Sequence, residues 1–283
     1  MKLDTVFNYA NFYTKVLRNK PSPERPFRLH YLDAFAGTGE IPLGVSLPTL
    51  EGIIDAEEVI VGSVRRALSV DVPFSRYVFS DLRRKNTKEL QTLAADYSHL
   101  KDHIEIVGRD ANDVVRDFCS SLGKGDRALI FLDPFGNQVR WETLEIIAAT
   151  EKVDLWYLFP AWLGIARQVK NNGQVVKEAE RSIDSMFGPF DWRSHAIAKT
   201  TSSQGDFFAD APVELEKIAS ADGMTRFMIE CMASIFGGGV AKSWLPLGRG
   251  GQPHYSLLFA CSNPGKRAKE LAQKVAREIM TRK

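Results

Sequence analysis

A chain of 283 residues with 44% hydrophobic and 25% charged side chains has the composition of an ordinary folded protein, which excludes a disordered, collagen-like or fibrous one. Its 37 basic and 35 acidic residues leave a net charge of +2, so composition neither demands nor forbids a polyanionic partner. No apolar run approaches the roughly 20 residues that cross a bilayer, and the opening residues lack the apolar centre of a signal peptide. A cytoplasmic protein with no membrane association is expected. Cys119, Cys231 and Cys261 are scattered and odd in number, which reads as reduced thiols in a core. His30, His99, His103, His195 and His254 show no metal-ligand spacing, so no metal is expected.

In chain order, Leu3, Val6, Phe7, Ala10, Tyr13 and Leu17 follow the spacing of an amphipathic helix, which Pro21, Pro23 and Pro26 end. Residues 1–27 are therefore a helix and a proline-rich connector. Short β-rich runs then alternate with helical ones. Arg28 to Phe35 precedes a helix near Ser63 to Val70, Tyr77 to Leu82 precedes Asn86 to Tyr97, and Ile104 to Val107 precedes Asn112 to Leu122. Ala128 to Leu132, Trp141 to Thr150 and Val153 to Phe159 continue the series. Alternating elements with almost continuously apolar strands predict a parallel sheet covered on both faces, a doubly wound, Rossmann-like α/β fold. Residues 163–223 break the alternation and are expected to form a helical insertion for substrate or partner recognition. A helix (Thr225 to Phe236), a strand near Trp244 to Leu247, a glycine-rich turn (Gly248 to Gly251), a strand (Tyr255 to Cys261) and a last helix (Lys266 to Met280) follow. The two strands form a hairpin, hence an antiparallel strand at the edge of the sheet. Residues 28–162 and 224–283 make the core.

The segment Asp33-Ala34-Phe35-Ala36-Gly37-Thr38-Gly39 lies where the first core strand ends, the place where open α/β sheets bind ligands. A dinucleotide fingerprint would have a third glycine where Pro42 stands, so nicotinamide binding is disfavoured. Asp33 ahead of a G-x-G turn suits a ligand with an ammonium or sulfonium end; a tight strand-to-helix turn with an incidental Asp is the alternative. Asp81, ending the second strand, is suited to two ribose hydroxyls, although it lies about twice as far on as the usual 20 positions. Asp110, after the third strand, can accept from an adenine amino group or can cap the following helix.

The fourth strand ends in Asp133-Pro134-Phe135-Gly136. Asp133 can accept a hydrogen bond from an exocyclic amino group, the Pro134 carbonyl can accept a second, and Phe135 can stack on a base. Together they would orient an amino nitrogen for in-line attack on a methyl group. Methylation at a pyrimidine carbon would need an activated cysteine, and none follows Asp133 before Cys231. A plain Pro-Gly turn is the alternative.

The order of these motifs resembles that of S-adenosylmethionine-dependent methyltransferases, and the final hairpin matches that superfamily's usual ending. Asp133 to Gly136 looks like the turn of the tRNA guanine-N2 dimethyltransferases and is similar to the Asp-Pro-Pro-Tyr turn of adenine-N6 methyltransferases. Over most of its length the chain resembles the bacterial three-Cys-motif partner (TcmP) family. That resemblance is carried by the leading helix, Tyr31 to Gly39, Gly62-Ser63, Phe131 to Gly136, Phe187-Gly188 and Trp192. It implies S-adenosylmethionine as cofactor, held by Asp33, Phe35, Gly37, Gly39, Asp81, Asp110 and Ala111, with Asp133, Pro134 and Phe135 catalytic. It also implies a partner protein with a three-cysteine motif of radical S-adenosylmethionine type.

Lys266, Arg267, Lys269, Lys274, Arg277, Arg282 and Lys283 lie opposite the apolar stripe of the last helix, as a solvated face or as a phosphate-tracking patch. Arg249, Arg65-Arg66 and Arg83-Arg84-Lys85 could extend it. Trp141 and Trp162 follow strand ends near the site, whereas the other tryptophans read as core. The expectation is a methyltransferase acting on an amino nitrogen of a DNA or RNA base. The alternatives are a methyltransferase-like adaptor for the three-cysteine partner, and an enzyme acting on a protein amide or small molecule.

Overall fold

The computed structural model describes residues 2–38, 62–201, 213–249 and 252–281. Seven strands form the main sheet: β1 (Arg28–Asp33), β2 (Arg76–Ser80), β3 (Ile104–Val107), β4 (Asp126–Leu132), β5 (Val153–Phe159), β6 (Leu245–Arg249) and β7 (Gln252–Cys261). Their order is β6-β7-β5-β4-β1-β2-β3, with β7 antiparallel to both its neighbours and every other pairing parallel. The doubly wound α/β fold with an antiparallel hairpin strand is thus present, in the order of a Rossmann-like methyltransferase.

The central strands are mostly apolar because both faces are covered, with Asp126 and Asp154 near the amino ends of β4 and β5 and Asp33 closing β1 as exceptions. Leu32, Ile130, Leu132, Leu155 and Tyr157 point into one core, shared with α4 (Ala111–Ser121), α5 (Trp141–Ala149), α6 (Lys177–Phe187) and α8 (Ala221–Ala233). Tyr31, Phe131, Trp156 and Phe259, one residue out of step, point into the other. There they meet α1 (Lys2–Leu17), α2 (Ser63–Leu68), α3 (Arg84–Ala95) and α9 (Lys266–Thr281).

The segment between β5 and α8 contains more than the predicted helices. It opens with a π turn, Ala161–Ile165, and after α6 and the short α7 (Arg193–Ala196) it forms an antiparallel ribbon of Ile197–Thr201 with Val213–Lys217. Val213, Leu215 and Lys217 alternate with Glu214 and Glu216, a two-residue period that the segment's overall polarity conceals. Ile183, Met186, Phe187 and Trp192 are buried in the same core as β4 and β5. Gly188 ends α6 at φ 58°, and a Cβ there would meet the Trp141 ring at 2.6 Å, which accounts for glycine at this position. Trp141 is accordingly core, 3% exposed. Pro21–Ser22 and Arg25–Pro26 pair briefly within the proline-rich connector.

α1 is fixed to the sheet by a polar contact inside an aromatic cluster. The Tyr9 hydroxyl donates to Asp154 Oδ2 at 2.7 Å, and its ring packs edge-on to Trp156 at 5.5 Å and against Phe259 at 4.9 Å. Burial holds the Asp154 carboxyl above its ordinary range, with the Tyr9 hydroxyl opposing. Asn11 Oδ1 accepts from the Asp71 amide at 2.9 Å. All three cysteines are buried and free. Among the described residues no helix is long and apolar enough to cross a membrane.

Tyr9→Phe keeps the ring and removes the donor, stranding Asp154 in an apolar site. Urea unfolding should show a loss of about 1–3 kcal/mol, larger than for Tyr13→Phe.

Candidate functional site

The sheet order reverses direction between β1 and β4, and a crevice at the carboxyl ends of these strands is where such sheets take ligands. Asp33 ends β1 beside Phe131 of β4, and Asp133 follows two residues later. Because side chains alternate, Asp33, Phe131 and Asp133 share the α1–α2 face, with Leu32 and Leu132 on the other.

Asp33 is fully buried. Its Oδ1 accepts from the Phe35 amide at 3.1 Å and its Oδ2 from the Ser63 hydroxyl at 2.6 Å, at the start of α2. The carboxyl group therefore ties Phe35 to the start of α2. Ala36 donates to the Ser80 carbonyl at 2.8 Å, laying the loop across β2. Gly37 turns at φ 60°, a conformation glycine adopts without Cβ strain. Gly39 lies outside the described residues, as do residues 40–61.

Asp81 is half-buried, with its amide bonded to the Val107 carbonyl and its Oδ1 accepting from the Arg83 amide at 2.7 Å. Asp110 is the N-cap of α4, accepting from the Asn112 amide and side-chain amide, both at 3.0 Å. Of the two roles read for it, capping is the one visible in the hydrogen bonds. Ala111 follows as the first residue of α4.

The Asp133 turn is closed by a hydrogen bond across it. Phe135 donates its amide to Gln138 Oε1 at 2.9 Å, and Gly136 takes φ 79°. Pro134 is buried, whereas Phe135 is 69% exposed, an aromatic ring held out at the mouth of the site. Two residues that the sequence reading passed over hold this turn. Asn112, 4% exposed, donates to the Gln138 carbonyl at 3.0 Å and accepts from the Arg140 amide at 3.0 Å and the Thr143 hydroxyl at 2.7 Å. Asn137 donates to the Gly164 carbonyl at 2.8 Å, stitching the turn to the π turn after β5. An Asn one residue into a capped helix carried the first signal, although nothing in sequence names its distant partners.

Lys2, at the start of α1, reaches the same point. Its Nζ lies 2.6 Å from Asp133 Oδ2. Burial, and then the charge of Asp133, push the Asp33 carboxyl up to about 7, against Ser63, the Phe35 amide and Lys2, which favour its ionised form. Burial also pushes the Cys119 and Cys231 thiols up to about 12, which keeps them protonated. Among the described residues no group of three or more His, Cys, Asp or Glu is placed to hold a metal ion.

The strand order, with its reversal between β1 and β4, defines the class: a doubly wound, Rossmann-like α/β fold with Asp33 and Asp133 at its switch point. No family model and no curated protein matches the chain. Among solved structures it is similar to a protein of Legionella pneumophila str. Philadelphia 1 from the DUF519 family, at 13% identity over 99% of this chain and 91% of that one, TM-score 0.45. It is also similar to an rRNA methylase from Streptococcus thermophilus (11%, 74% and 93%, TM-score 0.32). A third is magnesium protoporphyrin IX methyltransferase from Synechocystis PCC 6803, solved with bound S-adenosylmethionine (14%, 76% and 77%, TM-score 0.29). Likenesses this distant leave the chemistry to the residues of the site.

The raised Asp33 carboxyl has a signed consequence. Between 3.8, where it titrates when unfolded, and about 7, the folded chain keeps a proton that the unfolded chain has lost, so this group's contribution to stability falls as pH rises. Asp33→Asn stays neutral. Its stability relative to the wild type should climb from near zero at pH 4 to about 4 kcal/mol at pH 8 in urea titrations. Asn112→Ala should cost about 2–4 kcal/mol, since it strands the groups that held the Asp133 turn.

Proposed function

We propose that the chain is an S-adenosylmethionine-dependent methyltransferase that modifies an exocyclic amino nitrogen of a nucleic-acid base. One observation carries this reading. Asp33 and Asp133 stand on one face of adjacent strands at the switch point, with the exposed Phe135 ring two residues beyond Asp133.

The residues present fit the cofactor. The loop from Asp33 through Phe35 and Gly37 to Gly39 would receive its cationic amino-acid end, which favours the ionised form of Asp33, Asp81 would take its ribose hydroxyls, and Asp110 with Ala111 would border its adenine. When bound, the cofactor supplies a methyl group on a sulfonium sulfur. Asp133 then accepts the N–H of the acceptor and orients the nitrogen, Phe135 stacks on the base, and the proton released leaves by way of the same carboxylate. The buried, protonated thiols supply no nucleophile, consistent with direct transfer to nitrogen.

A nucleic-acid acceptor is supported by exposed Lys266, Arg267, Lys269, Lys274 and Arg277 along α9 and by exposed Arg83, Arg84 and Lys85 beside Asp81. Arg282 and Lys283 lie outside the described residues, as does the Arg249 side chain. Residues 163–223 would shape access for the substrate or for a three-cysteine partner protein.

Calorimetry should show S-adenosylmethionine binding to the wild type, and tritium from the labelled cofactor should pass to DNA or RNA. Asp133→Ala should bind the cofactor with little change and lose at least about 100-fold in transfer. Label on the partner protein alone would replace the base with a protein acceptor, and binding without transfer to any acceptor would favour the adaptor role.

A further inference from the structure

Lys2 at Asp133 is a contact that the proposed chemistry does not use. The carboxylate set to receive an acceptor's amino group already receives one, the Lys2 ammonium, at 2.6 Å. The two side chains are 23% and 24% exposed, so the pair lies at the mouth of the site and is open to exchange with a ligand. An ammonium is an N–H donor, as is an exocyclic amino group, and each uses the same lone pairs of the carboxylate.

The helix that delivers Lys2 is anchored elsewhere. Tyr9 is bonded to Asp154, Tyr13 is buried, and Asn11 holds the Asp71 amide, all beyond the first turn. In the first turn Lys2 and Leu3 are half-buried, and Asp4 pairs with Arg66 of α2. Among the described residues, Lys2 Nζ faces Asp133 directly and the buried Asp33 at longer range, while on the same turn Asp4 pairs with Arg66 and with the terminal ammonium. A change in the first turn can release Asp133 without disturbing the buried anchor.

We infer that Lys2 is the resident occupant of the acceptor position, holding Asp133 with an N–H donor that the acceptor's own N–H replaces. This rests on the methyltransferase reading and narrows it: the group that enters must donate to Asp133, as an amino or amide nitrogen does and a carboxylate or thiolate does not.

Two cofactor analogues separate this role from a structural one. Sinefungin carries an amino group on the carbon that replaces the methylated sulfur, where it faces the acceptor position; S-adenosylhomocysteine carries nothing there. Calorimetry on the full chain should show that Lys2→Met strengthens sinefungin relative to S-adenosylhomocysteine by roughly tenfold, the worth of one charge-assisted hydrogen bond. Lys2→Arg should leave that ratio within about twofold, the gain should vanish when Asp133→Asn is added, and Lys2→Met should unfold within about 2 °C of the wild type. An unchanged ratio in Lys2→Met, or an equal gain for both analogues, overturns the inference and leaves the methyltransferase reading standing. If neither analogue binds the wild type or any variant, the methyltransferase reading falls, and the role of Lys2 with it.

Discussion

A carboxylate with no solvent exposure at the end of β1 sets conditions that the neighbouring segments have to meet. An isolated charge there would be too costly, and Asp33 is relieved in three ways: the Phe35 amide and the Ser63 hydroxyl each donate to one oxygen, and the Lys2 charge stands nearby. Each remedy fixes a different piece of chain. Phe35 bends the loop back on itself, Ser63 pins the start of α2 across the residues between, and Lys2 brings the start of α1 over the crevice. Asp133 adds a second carboxyl group to the same face, and the Lys2 ammonium meets it there.

The turn that carries Asp133 is held from the opposite core. Asn112 uses both ends of its amide, tying the N-cap of α4 to the loop that leads into α5. Asn137 fastens that loop to the π turn, where a Cβ on Gly164 would lie 1.9 Å from the Asn137 oxygen. Close approach there demands glycine. An irregular turn of this kind, frequent at functional sites, places half-buried Trp162 after β5, its ring 5.2 Å from Lys217 Nζ on the ribbon. The site is thus framed by loops whose shapes are set by buried amides, and its exposed parts, Phe135 above all, ride on a fixed base.

Most of this fold was legible in the sequence, because strands buried on both faces are mostly apolar and the helices between them repeat at helical spacing. β3 and β5 run over the residues read for them, and the hairpin with its antiparallel strand follows from two apolar runs around a glycine-rich turn. The carboxylates at strand ends were legible for a related reason, since a charged residue closing an apolar run has few structural uses. What was hidden depends on contacts across long stretches of chain. Lys2 and Asp133 are 131 positions apart, and a lysine on the polar side of an amphipathic helix reads as solvated. Asn112 looked like one more polar residue in the first turn of a helix. The ribbon of Ile197–Thr201 with Val213–Lys217 was hidden because its strands are short and lie in a segment that is polar throughout.

The length of α1 links the two ends of the molecule. Lys2 and Tyr9 lie seven residues apart on this helix, about 10 Å along its axis. Tyr9 meets Asp154 near the amino end of β5, whereas Lys2 meets Asp133 just beyond the carboxyl end of β4, so the helix crosses the sheet between the two contacts. The buried anchor, flanked by Trp156 and Phe259, cannot shift without stranding a carboxylate in an apolar cluster. The contact at the mouth can, because water or a ligand can satisfy Asp133 there. Anchored at Tyr9 in its middle, the helix carries Lys2 from its first turn to Asp133.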